Sequence, residues 1–326
     1  MIIDAFIFNN ETDILEARLN YLNTHVDYFV IVESNNTFTG INKKFILKDF
    51  IEKNFKHLKS KILIFENKIK ISCEADLLFA NKKILKENSP SLNRVLKMGE
   101  QAISKKEIAL NETFQRELIN IAINQFIKNK NAIIVVSDVD EIPKINFLKK
   151  LNSLKEDQVY YADMKQFVYS TNFQLMEKWI GCVGFRKSLI NKYSIYYFRF
   201  MLKHENKYLI PYKIIRNAGW HLTSFGSIEM IRGKLSSWGH WELNTIVNRI
   251  FLSYRIKRCF DIFGRNKKIL YLRKNSDLPI SISKIFSNKK YSKKFIQPNF
   301  FDLIFNRILI NIDKAFKLIS LILKRF

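Results

Sequence analysis

The sequence is poor in cysteine, glycine and proline, with three, nine and five of them among 326 residues. Cys73, Cys182 and Cys259 lie far apart and form no cluster at zinc-ligand spacing, which argues against a disulfide framework and a structural zinc site. No glycine lies in a GxGxxG or a GxxxxGK pattern, which argues against a dinucleotide-dependent oxidoreductase and a P-loop kinase. A reducing compartment fits this cysteine usage best.

Long uncharged apolar runs are also missing. No run of about 18 such residues occurs, so we expect no membrane-spanning helix. The N-terminal segment MIIDAFIFNN has an acid at position 4 and lacks the basic, apolar and small-residue order of a secretory signal. We therefore expect a cytoplasmic protein whose first strand lies at its N-terminus.

Acidic residues are scarce relative to basic ones, 30 against 55, which gives a net charge of +25. Residues 255–326 alone contain 18 basic and four acidic residues, and the last glutamate is Glu242. Such an excess indicates a polyanionic partner or surface. A basic nucleic-acid-binding protein is one alternative. No RRM, KH, zinc-finger or helix-turn-helix signature accompanies the charge, so we expect no nucleic-acid partner.

Short apolar runs alternate with amphipathic stretches over the first 143 residues, a pattern typical of βαβ units. The sequence therefore predicts an α/β fold with a Rossmann-like mixed, mainly parallel sheet flanked by helices. Aromatic-rich segments at 159–169 and 193–202 predict extended, partly antiparallel structure in the second half. The predicted strands of the first half are 2–8, 28–33, 62–65 and 132–136, and the predicted helices are 10–22 and 107–128.

Three carboxylates, Asp138, Asp140 and Glu141, follow the fourth predicted strand within four positions. Carboxylates this close raise one another's pKa unless a cation neutralises them, so the pattern predicts a divalent metal site. Alternation along an extended chain would direct Asp138 and Asp140 to the same side, and oxygen ligands favour Mg²⁺ or Mn²⁺. The alternative is a solvated acidic turn that caps the next helix, with Pro143 near its first position.

The string DVDEIP, residues 138–143, resembles the DxD region of GT-A glycosyltransferases. Three further stretches sharpen the resemblance to glycosyltransferase family 17, which includes the β-1,4-mannosyl-glycoprotein β-1,4-N-acetylglucosaminyltransferases. These stretches are NNETDILEARLNYLNTHVDYFVIVESNNTFTG at 9–40, FQR at 114–116 and AGWHLTSFGSIEMIRGKLSSWGHWELN at 218–244. The resemblance covers roughly residues 2–250. It implies a GT-A fold and an inverting, metal-dependent transfer of N-acetylglucosamine from a UDP-sugar; another UDP-hexose donor is the alternative.

The resemblance also implies roles for single residues. Asp138 and Asp140 would hold Mn²⁺ or Mg²⁺ on the UDP diphosphate, and His221 would complete this site from the far side. Glu141 would support the site or accept a hydrogen bond from a sugar hydroxyl. The predicted UDP-sugar ligands are Phe8, Asn9, Glu33, Arg116 and Asp138, where Arg116 either contacts phosphate or pairs with an acid of the turn.

An inverting transfer also needs a general base on the acceptor hydroxyl, and a carboxylate suits this role. Glu242 is the first candidate and Asp163 the second. Trp179, Trp220 and Trp238 offer flat apolar rings on which the acceptor sugar would stack, although each of them is equally compatible with a place in the core.

We expect the chain to differ from the animal members of the family in having no N-terminal anchor and in carrying a basic tail. A cell-surface polysaccharide or lipooligosaccharide precursor is therefore the expected acceptor. We predict a GT-A catalytic domain over 1–264 and a basic extension over 265–326. Residues 299–326 place apolar side chains at helical spacing, with Lys and Arg among the polar positions. This predicts a basic amphipathic helix, peripheral at the inner face of an anionic membrane or, alternatively, packed onto the catalytic domain.

Overall fold

The structure, a computed structural model, describes residues 1–73, 76, 90–101, 105–204, 210–237, 243–265, 267–272, 277–287 and 295–323. The chain forms two compact units. The N-terminal unit comprises Met1–Met164 and Trp179–His221, and the C-terminal unit comprises Lys165–Lys178 and Leu222–Phe326. The predicted boundary after residue 264 stays a prediction. None of the described helices combines the length and the apolar character needed to cross a membrane.

A nine-stranded mixed sheet has the order β3-β2-β1-β4-β7-β6-β8-β5, and β9 pairs with β7. The strands are β1 (Ile2–Phe8), β2 (Tyr28–Ser34), β3 (Ile62–Asn67), β4 (Ile133–Asp138), β5 (Glu141–Pro143), β6 (Val159–Val168), β7 (Phe173–Arg186), β8 (Tyr212–Thr223) and β9 (Ile269–Tyr271). Strands β1 to β4 pair in parallel, whereas β4 with β7, β5 with β8, and β7 with β9 pair antiparallel. This confirms the mixed α/β class and the first four predicted strands.

Helices follow or precede most of these strands. They are α1 (Thr12–Leu22), α2 (Leu47–Asn54), α3 (Pro90–Gln101), α4 (Lys106–Phe126), α5 (Ile145–Lys150), α6 (Ile195–His204), α7 (Ile228–Ser237), α8 (Ile246–Ile250), α9 (Leu252–Lys257), α10 (Ile280–Ile285) and α11 (Phe300–Leu323). Short 3₁₀ helices span Lys56–Lys61, Leu151–Ser153 and Lys187–Leu189. The predicted helices 10–22 and 107–128 correspond to α1 and α4.

The prediction of extended structure over 193–202 is wrong, because this segment forms helix α6. A buried carboxylate of α4 explains the difference. The backbone N–H groups of Ile195 and Tyr196 donate to Glu117 at 3.0 and 2.7 Å. Capping by a carboxylate that is distant in sequence satisfies the free amides of the first turn and overrides the strand preference of aromatic residues.

The core of the N-terminal unit lies between the parallel strands and helices α4 and α6. Ile3 and Ala5 of β1, together with Phe114 and Leu118 of α4, are fully buried there. Val, Ile and Leu side chains on both elements make this interface, as expected where a helix covers a parallel sheet. The register pairs Ile7 with Asp138, so the carboxyl ends of β1 and β4 lie side by side.

Candidate functional site

The acidic turn begins where β4 ends. Residues 139 and 140 form a turn, and the chain then enters β5, which pairs with β8 in a register that sets Glu141 opposite His221. This pairing brings Asp140 and His221 together: the Oδ1 and Nε2 atoms are 3.7 Å apart, and both side chains are buried. Because the chain turns at residues 139 and 140, Asp138 and Asp140 do not follow one extended strand as predicted.

Asp138 lies between two arginines. Its Oδ1 accepts from Arg116 at 2.5 Å, and its Oδ2 is 3.1 Å from Nη2 of Arg199. Burial by itself would raise the pKa of Asp138, but the charges of Arg116 and Arg199 and the hydrogen bond from Arg116 hold that pKa well below its usual range. Arg116 also pairs with Glu112 at 3.1 Å. Of the two predicted roles of Arg116, the structure shows the pairing with an acid of the turn.

Glu141 is fully buried and bonded on both carboxylate oxygens. Arg199 binds it through both terminal nitrogens, the backbone N–H of Asp138 donates to Oε2 at 3.0 Å, and Trp179 donates to Oε1 at 2.7 Å. The Trp179 ring stacks on His221 with centroids 4.5 Å apart. Trp179 therefore positions Glu141 through its nitrogen and His221 through its ring.

Sequence reasoning missed Arg18, whose side chain holds the backbone of the turn in place. This fully buried side chain of α1 donates to the carbonyl oxygens of Asp138, Val139 and Glu141 at 3.0, 3.2 and 2.8 Å. It also forms a two-bond ion pair with Asp4 of β1, at 2.6 and 2.8 Å. The guanidinium fork supplies several donors in fixed geometry, so Arg18 sets the shape of the turn.

The thiol of Cys182, on β7, lies directly under the same turn. It donates to the carbonyl oxygen of Glu141 at 3.1 Å, and burial raises the pKa of Cys182 to about 12. The thiol is therefore protonated and packs as a small, weakly polar group.

The donor atoms present fit a divalent cation at Asp140 and His221. Two ligands bound at about 2.1 Å to one ion are at most about 4.2 Å apart, so the observed separation of 3.7 Å is compatible with a shared ion. Within the described part of the chain, no group of three or more His, Cys, Asp or Glu side chains is placed to bind a metal. A cation at this pair would thus keep coordination positions open for phosphate oxygens or water.

The predicted nucleotide ligands of the first two strands occupy different environments. Phe8 is buried in the core. Asn9 is half-buried, and its buried Oδ1 has no hydrogen-bond partner among the described residues. Glu33 is fully buried: its carboxylate binds Lys43 at 3.1 Å and accepts from the backbone N–H groups of Ile46 and Leu47, at the start of α2, at 3.0 and 3.1 Å. The structure shows that Glu33 anchors the start of α2. The contact between Glu33 and a nucleotide stays a prediction.

The remaining candidates are Trp220, Asp163, Glu242 and Trp238. Trp220 is buried, with its ring edge-on to Tyr21 at 5.4 Å, which is a core environment. Asp163 is half-buried on β6, and no hydrogen bond between described residues links it to the turn. Glu242 and Trp238 lie outside the described residues.

The family profile with the description glycosyltransferase family 17 matches residues 1–97 and 73–260, which is most of the chain. The chain belongs to glycosyltransferase family 17. Membership confirms the family resemblance and the expectation of a glycosyltransferase enzyme. The GT-A type, the metal, the donor and the acceptor of this family 17 protein stay predictions.

Three solved structures to which this chain is similar resemble it weakly. HddC from Yersinia pseudotuberculosis has a TM-score of 0.36 and 12% identity, covering 67% of this chain and 92% of that one. A putative glucose-1-phosphate thymidylyltransferase from Bacillus anthracis, in complex with a sucrose, has a TM-score of 0.31 and 8% identity over 68% and 88%. The inositol-1-phosphate CTP transferase from T. maritima has a TM-score of 0.29 and 9% identity, covering 90% of this chain and 97% of that one. Such scores decide nothing about this chain, and no curated protein matches its sequence.

Proposed function

We propose that this family 17 enzyme transfers N-acetylglucosamine from a UDP-sugar to a glycan acceptor, with inversion at the anomeric carbon and with a divalent cation. The acceptor we propose is a cell-surface polysaccharide or lipooligosaccharide precursor. The observation that carries the proposal is the buried pair of Asp140 and His221, at the carboxyl end of the parallel strands where open α/β sheets bind ligands. A GT-A type of site is part of the same proposal.

In this proposal the cation is Mn²⁺ or Mg²⁺, held by Asp140 and His221, and it would offset negative charge on the leaving diphosphate. Arg18 fixes the backbone that carries Asp140, so the carboxylate is oriented before the substrate arrives. Arg116 and Arg199 keep Asp138 ionised and immobile. Trp179 fixes the ring plane of His221 by stacking.

Asn9 is the proposed contact to the uracil base. Its Oδ1 is buried directly after β1 without a protein donor among the described residues, and a buried acceptor of this kind costs free energy unless a ligand donates to it. The imide N–H of uracil is a donor of the required type. Asn9→Ala should therefore raise the KM for the UDP-sugar more than it lowers kcat.

The general base stays a choice between Glu242 and Asp163. Glu141 suits this role poorly, because both of its oxygens are bonded and the side chain is fully buried. We therefore propose that Glu141 supports the turn, and that the base lies on a segment nearer the acceptor. Loss of kcat in Glu242→Gln, with an unchanged KM for the donor, would favour Glu242 over Asp163.

The test is a panel of UDP-sugars, including UDP-N-acetylglucosamine and other UDP-hexoses, with Mn²⁺, Mg²⁺ or EDTA. Binding is followed by calorimetry and turnover by release of UDP. We expect metal-dependent binding and slow hydrolysis of UDP-N-acetylglucosamine. Metal-dependent turnover of a different UDP-hexose would keep the reaction class and change the donor.

Asp140→Asn is the decisive variant, and Asp157→Asn is its matched control because Asp157 is an exposed aspartate outside the turn. We expect at least a 100-fold loss of turnover in the first variant, since charge stabilisation of the leaving group is lost, and wild-type turnover in the second. Full activity of Asp140→Asn, or binding of UDP-sugars that EDTA leaves unchanged, would contradict the proposed metal site.

A further inference from the structure

The two acidic residues in the described part of helix α11 face inward. Asp302 and Asp313 are among its buried side chains, whereas acids on surface helices normally face water. The Asp302 carboxylate pairs with Arg258 at 3.2 Å and accepts from the hydroxyl of Tyr254 at 3.1 Å. Asp313 interacts electrostatically with the buried Arg255. These contacts within the C-terminal unit fix which side of the helix faces the protein.

Most of the exposed side chains of α11 are apolar. Phe300 and Phe301 are 70% and 77% exposed, and they begin a continuous series along the helix. The exposed large apolar side chains of α11 are Phe300, Phe301, Leu303, Ile304, Phe305, Ile308, Ile312, Phe316, Leu318 and Ile319. Proteins that stay in water rarely expose so many contiguous apolar side chains, and such a surface marks an interaction site. The orientation favours a partner outside the chain.

Cations flank this apolar surface. Arg307 and Lys314 are both exposed and lie seven residues apart, about 10 Å along one side of the helix. The acids of the described part of α11 are Asp302 and Asp313, and both are buried. The exposed surface of the described helix therefore combines apolar and positively charged side chains without a negative one.

A basic groove of about 1250 Å³ lies beside the same flank, within the C-terminal unit. Its cations are Arg258, Lys267, Lys268, Arg307 and Lys314. The acid that lines it, Asp261, is already paired with Arg265 at 2.9 Å. Among the described residues, no acidic side chain pairs with Lys268, Arg307 or Lys314. The groove is therefore suited to anionic groups such as phosphate.

We propose that α11 docks on an anionic lipid bilayer, with its apolar side at the boundary of headgroups and acyl chains and with lipid phosphates in the basic groove. A basic amphipathic helix of this kind lies in the interface plane. Charge complementarity selects lipid over a second copy of the chain, because a second copy would place Arg307 and Lys314 opposite like charges. The inference goes beyond the proposed transferase activity and does not depend on it.

The experiment measures co-sedimentation of the full chain with vesicles of phosphatidylglycerol and phosphatidylcholine, or of phosphatidylcholine alone. We expect at least tenfold tighter binding to the anionic vesicles, weakening as NaCl is raised. Arg307→Gln with Lys314→Gln should lower binding roughly 30-fold, because each cation near an anionic surface contributes separately. The control pair is Lys128→Gln with Lys130→Gln, which neutralises two exposed lysines of the N-terminal unit and should leave binding unchanged.

A second arm tests the apolar side. Phe301→Ser with Ile308→Ser should abolish vesicle binding at low salt, whereas Phe301→Leu with Ile308→Leu should retain it. Ile41→Ser, at an exposed apolar position of the N-terminal unit, is the matched control and should bind like the wild type. Thermal unfolding of each variant establishes that it is folded.

Three results would overturn the proposal. One is the absence of binding to anionic vesicles by the wild-type chain. Another is vesicle binding that is equally tight for both lipid compositions and that the double substitution of Arg307→Gln and Lys314→Gln leaves unchanged. The last is a dimer in solution that Phe301→Ser with Ile308→Ser dissociates, without vesicle binding, which would make a second copy the partner.

Discussion

The acidic turn and helix α11 place polar and apolar groups in opposite ways. At the turn, the buried charges of Arg18, Arg199 and Glu141 meet partners of opposite sign and backbone carbonyls within the same unit. At α11 the buried Asp302 is paired with Arg258, but most of the exposed side chains are apolar. Both arrangements pair a buried charge with a charge of opposite sign. The first has its partners within the chain, whereas the second leaves a surface that another molecule must cover.

Arg18→Met should give the largest loss of stability. It tests whether contacts inside the protein hold the acidic turn in place. It would leave Asp4 ionised and unpaired in the core, which costs about 3–5 kcal/mol of unfolding free energy. Urea unfolding measures this loss. Asp4→Leu combined with Arg18→Met should regain part of the stability without regaining activity, because the carbonyls of the turn lose their donor in both variants. An active double variant would contradict the role given to Arg18.

Glu117 is another buried group with its partners inside the chain. The pH dependence of the unfolding free energy tests its protonation state. Burial, its leading cause, raises the pKa of Glu117 from 4.5 to about 7, although hydrogen bonds from Ser91 and from the amides of α6 oppose the rise. The folded state therefore favours the protonated acid. This stabilisation is complete below about pH 4.5 and is lost as pH rises to about 7, by about 3 kcal/mol.

Unfolding free energies of the wild type and of Glu117→Gln between pH 4 and 8 measure this effect. The difference between the two proteins should change across that window and be constant above it. Parallel pH profiles would mean that the pKa of Glu117 is the same in the folded and unfolded states, which would contradict the rise caused by burial.

Gly219→Ala probes how closely β5 and β8 approach. An added Cβ would lie 2.8 Å from the backbone oxygen of Ile142, so the strand that carries His221 must shift. We expect a loss of about 1–3 kcal/mol in thermal unfolding and a fall in turnover. The control is Gly233→Ala on α7, where a Cβ meets nothing within 4 Å and a more favourable helix propensity should stabilise the unit slightly.

The smallest effect is expected at the exposed side of α11. Phe301→Ser should change the free energy of unfolding by no more than about 0.5 kcal/mol, because the ring is mostly exposed in the folded chain. Chemical denaturation measures this. A loss of several kcal/mol would show that the ring is buried within the protein in solution. The exposed side of α11 would then have its partners within the chain, as the acidic turn does.

Much of the sheet could be predicted from the sequence. The strands β1 to β4 follow from short apolar runs separated by amphipathic stretches, and the turn follows from three acids after a buried strand. Helix α6 could not be predicted from its own residues, because Glu117 on α4 supplies its cap. A cap that comes from another element leaves no local signal.

Arg18 did leave a signal. Asp4 is the charged residue of an otherwise apolar strand, and Arg18 lies on the buried side of α1 among Ile14, Leu15 and Leu22. A charge of each sign at such positions predicts a buried ion pair between neighbouring elements. The turn at residues 139 and 140 left none, since an alternating pattern of residues does not reveal where a strand ends.

The position of Cys182 makes the turn observable in a different way. Its thiol is buried under Glu141 and has a raised pKa, whereas Cys73 is exposed. Alkylating reagents react with accessible thiolates, so Cys73 should be labelled at once and Cys182 only when the turn opens. The labelling rate of Cys182, measured on its own peptide so that Cys259 does not contribute, would then report how often the site opens. Its slowing by a bound nucleotide would report occupancy without any measurement of catalysis.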